Sequence, residues 1–383
     1  MKSLVELNIT GKNLVIRVDM NVPIKNGVIK DLTRIKACLP SIEYALANNC
    51  KVLLVSHLGR PIEGKTDKVF SLSPVAEALS SILDEPVQLI NSPDSDDIFN
   101  TKNKVQLLEN IRFFSGEMSN NSSLGKLLGC MGDIYVFDAF GTAHRKQAST
   151  HAAILSSKDS CGGILLKQEI ESLNRAMLNA PSPYLAIIGG AKVSSKLGLI
   201  NTLNKKADSI IVGGGIANTF LKASGYEVGT SLVEDSMLDI ASNMLKENKI
   251  LLPSMVVTST SFEGSDVKLK KIDDVTSDEM ILDQMLTIKM QDVIKSSKLI
   301  LWNGPLGVFE NPLFSLGTES LAQNIKSSSG YSIAGGGETL SAINTFINKD
   351  DVSYCSTGGG AFLEYMEGKK LPSIEALSRQ EIG

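Results

Sequence analysis

The first half of this chain sets arginine and histidine beside short apolar runs, at spacings suited to gripping an anion. Arg17-Val-Asp19-Met20-Asn21-Val-Pro23 closes one such run, and Arg34 opens a helical stretch soon after it. Ser56-His57-Leu58-Gly59-Arg60-Pro61 follows the next run; Leu108-Glu-Asn110-Ile-Arg112-Phe113 and Asp138-Ala-Phe-Gly141-Thr-Ala-His144-Arg145 complete the set. A guanidinium holds carboxylate or phosphate through two parallel N–H bonds. In a doubly wound sheet the strand carboxyl ends gather along one edge, where ligands bind. Arg34, His57, Arg60, Arg112 and Arg145 are therefore expected to converge on a small polyanion. Six of the seven arginines lie at or before Arg175, and all three histidines lie in the first half. A chance skew in a surface residue type is the plainer alternative, since lone exposed arginines are normally solvated.

The second half carries glycine and lysine instead. Three triple-glycine turns follow strand-like runs: Gly213–Gly215, Gly335–Gly337 and Gly358–Gly360. A fourth turn, Gly189-Gly190, leads into Ala191-Lys192-Val193-Ser194-Ser195-Lys196. Glycine at the carboxyl end of a parallel strand lets backbone N–H groups approach a phosphate, where a helix N-terminus adds positive potential. Together the turns describe a nucleotide site; for any single turn, tight strand–helix packing without a ligand explains it as well. Lys192 and Lys196 at a helix start oppose the macrodipole unless an anion sits there. No G-x-x-x-x-G-K-[ST] occurs, which excludes a Walker-type NTPase. Asn218, Leu340 and Leu363 fill the third slot of any G-x-G-x-x-G, which disfavours a dinucleotide dehydrogenase.

These residues must be positioned by something larger than one ordinary domain. At 383 residues the prior is two or three domains. Strand-like runs Leu14–Val18, Val52–Ser56, Val87–Ile90, Val105–Leu107 and Tyr135–Asp138 form one series. Tyr184–Gly189, Ser209–Val212, Met255–Thr258, Leu299–Trp302 and Tyr331–Ala334 form a second. Both are rich in Val, Ile and Leu, as expected of parallel strands buried on both faces, and helical stretches such as Thr33–Asn48 and Ser73–Leu83 lie between them. The fold class is α/β, with two doubly wound parallel-sheet, Rossmann-like domains separated by a cleft. An amphipathic stretch, Ile164–Asn179, ends at Ala180-Pro-Ser-Pro183 and reads as an interdomain helix over 164–180. The expected domains are 1–166 and 181–369, with the tail 370–383 packing back on the first.

Composition excludes other classes. A formal net charge of −4 argues against a whole-protein footprint for nucleic acid or anionic membrane. The opening residues show no signal-peptide core, and no apolar run reaches membrane-spanning length. Five dispersed cysteines without C-x-x-C suggest free thiols in a reducing cytoplasm.

Along nearly the whole length, these segments resemble phosphoglycerate kinase signatures in family order: Arg17–Pro23, His57–Pro61, Leu108–Phe113, Phe137–Arg145, Gly189–Lys196, Trp302–Glu310, Ala334–Thr339 and Ser356–Phe362. The resemblance implies that Asp19, Met20, Asn21, Arg34, His57, Leu58, Gly59, Arg60, Arg112 and Arg145 hold 3-phosphoglycerate. It implies nucleotide binding by Gly190, Lys196, Gly214, Gly215, Asn303, Glu310, Gly336, Gly337, Glu338 and Thr339. Glu310 would take the ribose hydroxyls. Arg34, Lys192 and Gly359, in the helix-opening turn Gly358–Gly360, would serve the transfer itself. Substrates would be ATP or ADP with 3-phosphoglycerate or 1,3-bisphosphoglycerate, on a monomer, with Mg²⁺ as cofactor.

Glu338 departs from the family's usual Asp at the expected metal position, which adds a methylene but keeps a carboxylate. Lys146 and Gln147 stand where relatives often have Ala-His. An attacking carboxyl of pKa about 4 is already ionised at pH 7, so the reaction needs positioning and charge stabilisation rather than a base. Closure about the interdomain helix is expected to join the two substrates. The competing reading is a catalytically weak nucleotide-binding protein on the same fold.

Overall fold

The structure, a computed structural model, describes residues 1–94, 98–264 and 266–379. It forms two compact units, Met1–Glu171 together with Lys370–Gly383, and Ser172–Lys369. The change of unit falls inside one helix, Ile164–Met177.

In unit 1 the long strands are β1 (Asn13–Val18), β4 (Lys51–Val55), β5 (Val87–Ile90), β6 (Val105–Leu108), β7 (Ile134–Asp138) and β8 (Ser160–Gly162). A small hairpin, β2 (Ile24–Lys25) with β3 (Val28–Ile29), stands apart from them. The six form one parallel sheet in the order β5-β6-β4-β1-β7-β8. Strands β1, β4, β6 and β7 are almost wholly buried, which is why they read as unbroken apolar runs instead of alternating ones. On one face Ile16, Leu54 and Val136 pack with Ile35, Ile42, Val75 and Leu79 from the helices Thr33–Ala47 and Ser73–Leu83. Each such side chain contributes about 1.5–3 kcal/mol on burial. The reversal of strand order between β1 and β7 puts Asp19 and Ala139 just past neighbouring strand ends, where an open α/β sheet takes its ligand.

Unit 2 repeats the plan with β9 (Tyr184–Ile188), β10 (Ser209–Val212), β11 (Ile250–Leu251), β15 (Leu299–Asn303), β16 (Tyr331–Ala334) and β17 (Tyr354–Cys355). Their order is β11-β10-β9-β15-β16-β17, with the reversal between β9 and β15. The doubly wound α/β class expected from the sequence is thus present in both units. One strand was expected in the wrong sheet. Met255–Ser259 (β12) does not join the parallel sheet but pairs antiparallel with β13 (Lys268–Lys271) and β14 (Met280–Gln284). Its apolar run is buried by its own cluster, Val256 with Leu221, Val228, Ile272 and Ile281, and burial alone does not tell which sheet a strand enters. The short edge strands β8, β11 and β17 have two or three residues each and leave no periodic signature.

The helix expected over 164–180 ends at Met177. In the tail, a helix over Pro372–Arg379 buries Ala376 and Leu377, and Ser373 N–H donates to Ala143 O at 3.2 Å within unit 1. Residues 380–383 of the expected tail lie outside the described residues.

Several glycines after strands answer to packing. A Cβ on Gly189 would lie 1.9 Å from Pro305 O and 2.7 Å from Gly304 C, where β9 and β15 deliver their loops against each other. Gly189→Ala is expected to cost about 1–3 kcal/mol through forced separation of these loops. It should lower the thermal unfolding midpoint by on the order of 5 °C, measured by calorimetry.

Candidate active site

In unit 1 the predicted residues come together around Asp19. Arg34, in the first turn of its helix, donates through NH1 to both Asp19 oxygens at 3.1 Å and to Asn21 O at 3.3 Å. Asn21 N–H donates to Asp19 Oδ1 at 3.2 Å, and Asn21 Oδ1 accepts from Gly59 N–H at 2.8 Å. Met20 is buried, and its N–H donates to Ser56 Oγ at 2.9 Å. His57 is buried with Nδ1 4.0 Å from Asp19 Oδ1. Burial works against the Asp19 charge, but the cationic groups facing it, the guanidiniums of Arg34 and Arg17 among them, outweigh it and hold the carboxyl below its ordinary range.

The His57–Arg60 turn is fixed by a residue outside the predicted set. Asn110 accepts from Leu58 N–H at 3.1 Å and donates to Leu58 O at 2.7 Å and Phe70 O at 2.9 Å. Arg112 then donates from NH1 to Gly59 O. Arg60, Arg112, Arg145, His144 and Gln147 line an open cavity of about 540 Å³. Arg112 Nε and Arg145 NH1 are buried with no protein acceptor. Burial pulls the Arg112 guanidinium down to about 10, with Arg145 and Arg17 adding repulsion, and lowers Arg145 as well. Crowded cations holding spare donors fit an anion.

Arg17 is also missing from the predicted set. It is the last residue but one of β1, about 1% exposed, with Nε on Ser149 Oγ at 2.8 Å and a guanidinium N–H on Val18 O. Ser149 in turn bonds the buried Glu117. An arginine inside an apolar strand run was the available signal for Arg17; Glu117 and Ser149 gave none.

In unit 2 the strand ends surround a mostly apolar cavity of about 450 Å³. Gly190, Ala191, Gly214, Gly215, Leu232, Phe262, Pro305, Val308, Glu310 and Glu338 are among its lining. The sequence reading found its glycines and acids but not Leu232 or Phe262, which come from loops without a motif. Lys192 is the exposed N-cap residue of the helix Val193–Lys206, so its side chain is free to reach outward. Lys196, one turn on, points inward and donates to Gly189 O at 2.5 Å and Asn303 O at 3.1 Å. Burial pulls its ammonium down to about 8, with Glu338 opposing.

Thr339 Oγ1 accepts from Gly304 N–H at 2.8 Å and spends its one proton on Gly335 O at 2.9 Å. What Thr339 offers a ligand is its backbone N–H, in the first turn of the helix Gly337–Phe346. Asn303 is buried, donates to Gly335 O at 2.6 Å and keeps Oδ1 unpaired. Gly336, the N-cap of that helix, has φ 99°, and Gly359, the N-cap of the helix Gly360–Met366, has φ 51°. Gly337 is different: its φ is not in the left-handed region, and a Cβ there would meet nothing within 4 Å. Neither backbone nor packing asks for glycine at 337, and its place in the first turn of the helix leaves open space above the backbone N–H groups. Glu338 is exposed at the cavity rim, and among the described residues no three His, Cys, Asp or Glu cluster as a metal site.

Comparison with known proteins agrees with this architecture. The sequence profile described as phosphoglycerate kinase matches residues 4–369. A phosphoglycerate kinase of Francisella tularensis subsp. novicida (strain U112) is 45% identical over 389 residues, covering 99% of each chain. The solved phosphoglycerate kinase of Coxiella burnetii superposes with a TM-score of 0.91 at 44% identity over 99% of both chains. That of Pyrococcus horikoshii OT3 gives 0.83 at 29% identity over the whole of both. On the order and spacing of its segments, its two parallel sheets and this likeness along its full length, the chain belongs to the phosphoglycerate kinase family.

Proposed function

We propose that this member of the family holds 3-phosphoglycerate on the arginine cluster of unit 1 and nucleotide in the glycine-lined cavity of unit 2. The reaction of the family is reversible phosphoryl transfer between 1,3-bisphosphoglycerate and ADP, giving 3-phosphoglycerate and ATP, a step of glycolysis. The observation carrying the assignment of the glycerate is the pair of buried guanidinium donors, Arg112 Nε and Arg145 NH1, without acceptors in the protein. Leaving such donors unpaired is costly, and a phosphate and a carboxylate supply what is missing.

In the direction that consumes ATP, a carboxylate oxygen of 3-phosphoglycerate attacks the γ-phosphorus. One O–P bond forms there, and the bond from that phosphorus to the β-phosphate oxygen breaks, releasing ADP. The carboxylate is ionised at neutral pH, so no proton has to be taken. The chain's task is to bring two anions together and hold the charge that spreads over the transferred group. Arg34 suits this: Asp19 and Asn21 fix one nitrogen, and its half-exposed remainder is free to donate. Lys192 and the N–H groups after Gly359 supply further positive potential.

Mg²⁺ fits the nucleotide unit. It is commonly held by one or two carboxylates plus phosphate oxygens and water, and Glu338 offers an exposed carboxylate beside Lys196. When bound, the ion neutralises phosphate charge during transfer. The reading includes a monomer working in the cytoplasm. In its support, all five cysteines are free, and among the described residues no helix is long and apolar enough to cross a membrane.

A coupled assay that follows ATP formation from 1,3-bisphosphoglycerate and ADP tests the reading; absence of ATP would leave a nucleotide-binding protein. Arg34→Ala and Lys192→Ala should each lower kcat by about 10²–10³-fold with KM little changed, as expected for groups that act on the transition state. A rise in KM alone would make either one a binding residue. Gly337→Ala should keep the thermal midpoint and raise the nucleotide KM roughly tenfold. Lys196 predicts a proton linkage: it is half neutral near pH 8 when free, and a phosphate beside it restores the charge. ADP binding at pH 8–9 should take up on the order of half a proton, with affinity falling as pH rises through that range. Calorimetry in buffers of different ionisation enthalpy measures the uptake, and Lys196→Met should abolish it.

A further inference from the structure

Behind the arginine cluster of unit 1 runs a row of buried polar groups that the transfer reaction does not use. Glu117 has no exposed surface. Its Oε1 accepts from the Ser149 hydroxyl at 2.6 Å and its Oε2 from Ser149 N–H at 2.9 Å. The same hydroxyl accepts from Arg17 Nε at 2.8 Å. At the far end, Arg17 NH2 lies 3.3 Å from His57 Nδ1. A guanidinium has five N–H donors and no acceptor. At that contact the ring nitrogen is therefore the acceptor and carries no proton. An imidazole with a bare Nδ1 is neutral and keeps its proton on Nε2.

We propose that Glu117, Ser149 and Arg17 are positioning residues that lock His57 as the neutral Nε2–H tautomer, making it a fixed donor to the glycerate rather than a cation. The donor role rests on the assignment of His57 to the glycerate site; the lock does not.

Burial and the guanidiniums around the ring act in the same sense, and Asp19 opposes them. Burial disfavours the imidazolium most, Asp19 favours it, and Arg17, Arg112 and Arg145 oppose it. Asp19 is already shared with Arg34 through both oxygens. With His57 neutral, Arg34 and Arg17 are the cations left to hold Asp19 ionised. Burial raises the Glu117 carboxyl, while Arg17 and the two Ser149 bonds draw it back toward the anion. Ser149 belongs to a single π-helical turn, Ala148–Ala152, a rare element that often marks functional sites. An arriving substrate brings negative charge that favours imidazolium, but a second ring proton on Nδ1 would point at the Arg17 N–H. The tautomer is therefore held through binding.

The full chain, ¹⁵N-labelled at its three histidines, gives the test. Ring signals are assigned with His144→Gln and His151→Gln, then followed from pH 5.5 to 8.5 with and without 3-phosphoglycerate. His57 should keep the shifts of a bare Nδ1 and a protonated Nε2 throughout. In Glu117→Gln and in Ser149→Ala it should begin to titrate, and the KM for 3-phosphoglycerate should rise roughly tenfold with the KM for ADP unchanged. A His57 that titrates in the unaltered protein, or carries its proton on Nδ1, overturns the proposal. So does a His57 whose signals stay the same in both variants; if Glu117→Gln does not fold, Ser149→Ala decides. A lock seen in the ligand-free spectra with no response in the 3-phosphoglycerate KM would sustain the tautomer and remove His57 from the glycerate site.

Discussion

Guanidinium groups withdrawn from water need counter-charge, and unit 1 supplies too little of its own. Arg17, Arg34, Arg112 and Arg145 crowd one sheet edge with Arg60 at the rim, while the carboxylates among them are Asp19 and Glu117. Burying uncompensated charge is expensive, and here the shortfall is left where a ligand can enter. The parallel sheet makes this possible: β1, β4 and β7 are stabilised by apolar faces on both sides, so their ends can carry strained electrostatics. Arg17 shows the division most plainly. It rises from inside the core, is anchored by Ser149, and contributes positive potential without meeting solvent.

Unit 2 gathers positive potential by other means. Its cavity wall is mostly apolar, its cations are the two lysines of one helix start, and other positive potential comes from backbone N–H groups where helices begin. Backbone donors have no side-chain freedom to lose, so little entropy is spent in ordering them. Lys196 is the exception. Tied to two carbonyls and partly buried, it is a charge kept at hand near neutrality.

The architecture was legible because buried parallel strands announce themselves as short apolar runs between helical stretches. Ten such runs were read, and each is a strand in the structure, though β12 belongs to the antiparallel sheet. Which strand pairs with which is set by distant partners, and no local pattern encodes that. The site was legible in its charged residues, whose types and positions after strands carry chemistry on their face. Less legible was what holds them: Asn110 pinning the His57–Arg60 turn, and Glu117 and Ser149 beneath Arg17. A buried asparagine or serine acquires a role only through what the fold places beside it. Glycine was half legible. Gly189 and Gly337 look alike in sequence, yet the first is dictated by a neighbouring carbonyl and the second has open space where a Cβ would be.

Unit 1 is discontinuous, since the whole of Ser172–Lys369 intervenes before Lys370 returns to it. Synthesis on the ribosome therefore reverses the usual order of completion. At about 5–20 residues per second, the intervening segment takes roughly 10–40 s to emerge. During that time the nascent amino-terminal sheet lacks the helix Pro372–Arg379, whose Ala376 and Leu377 are buried and whose Ser373 closes on Ala143. The unit begun first is thus completed only after the other has been made, and its apolar seat for that helix stays uncovered until Pro372–Arg379 has emerged.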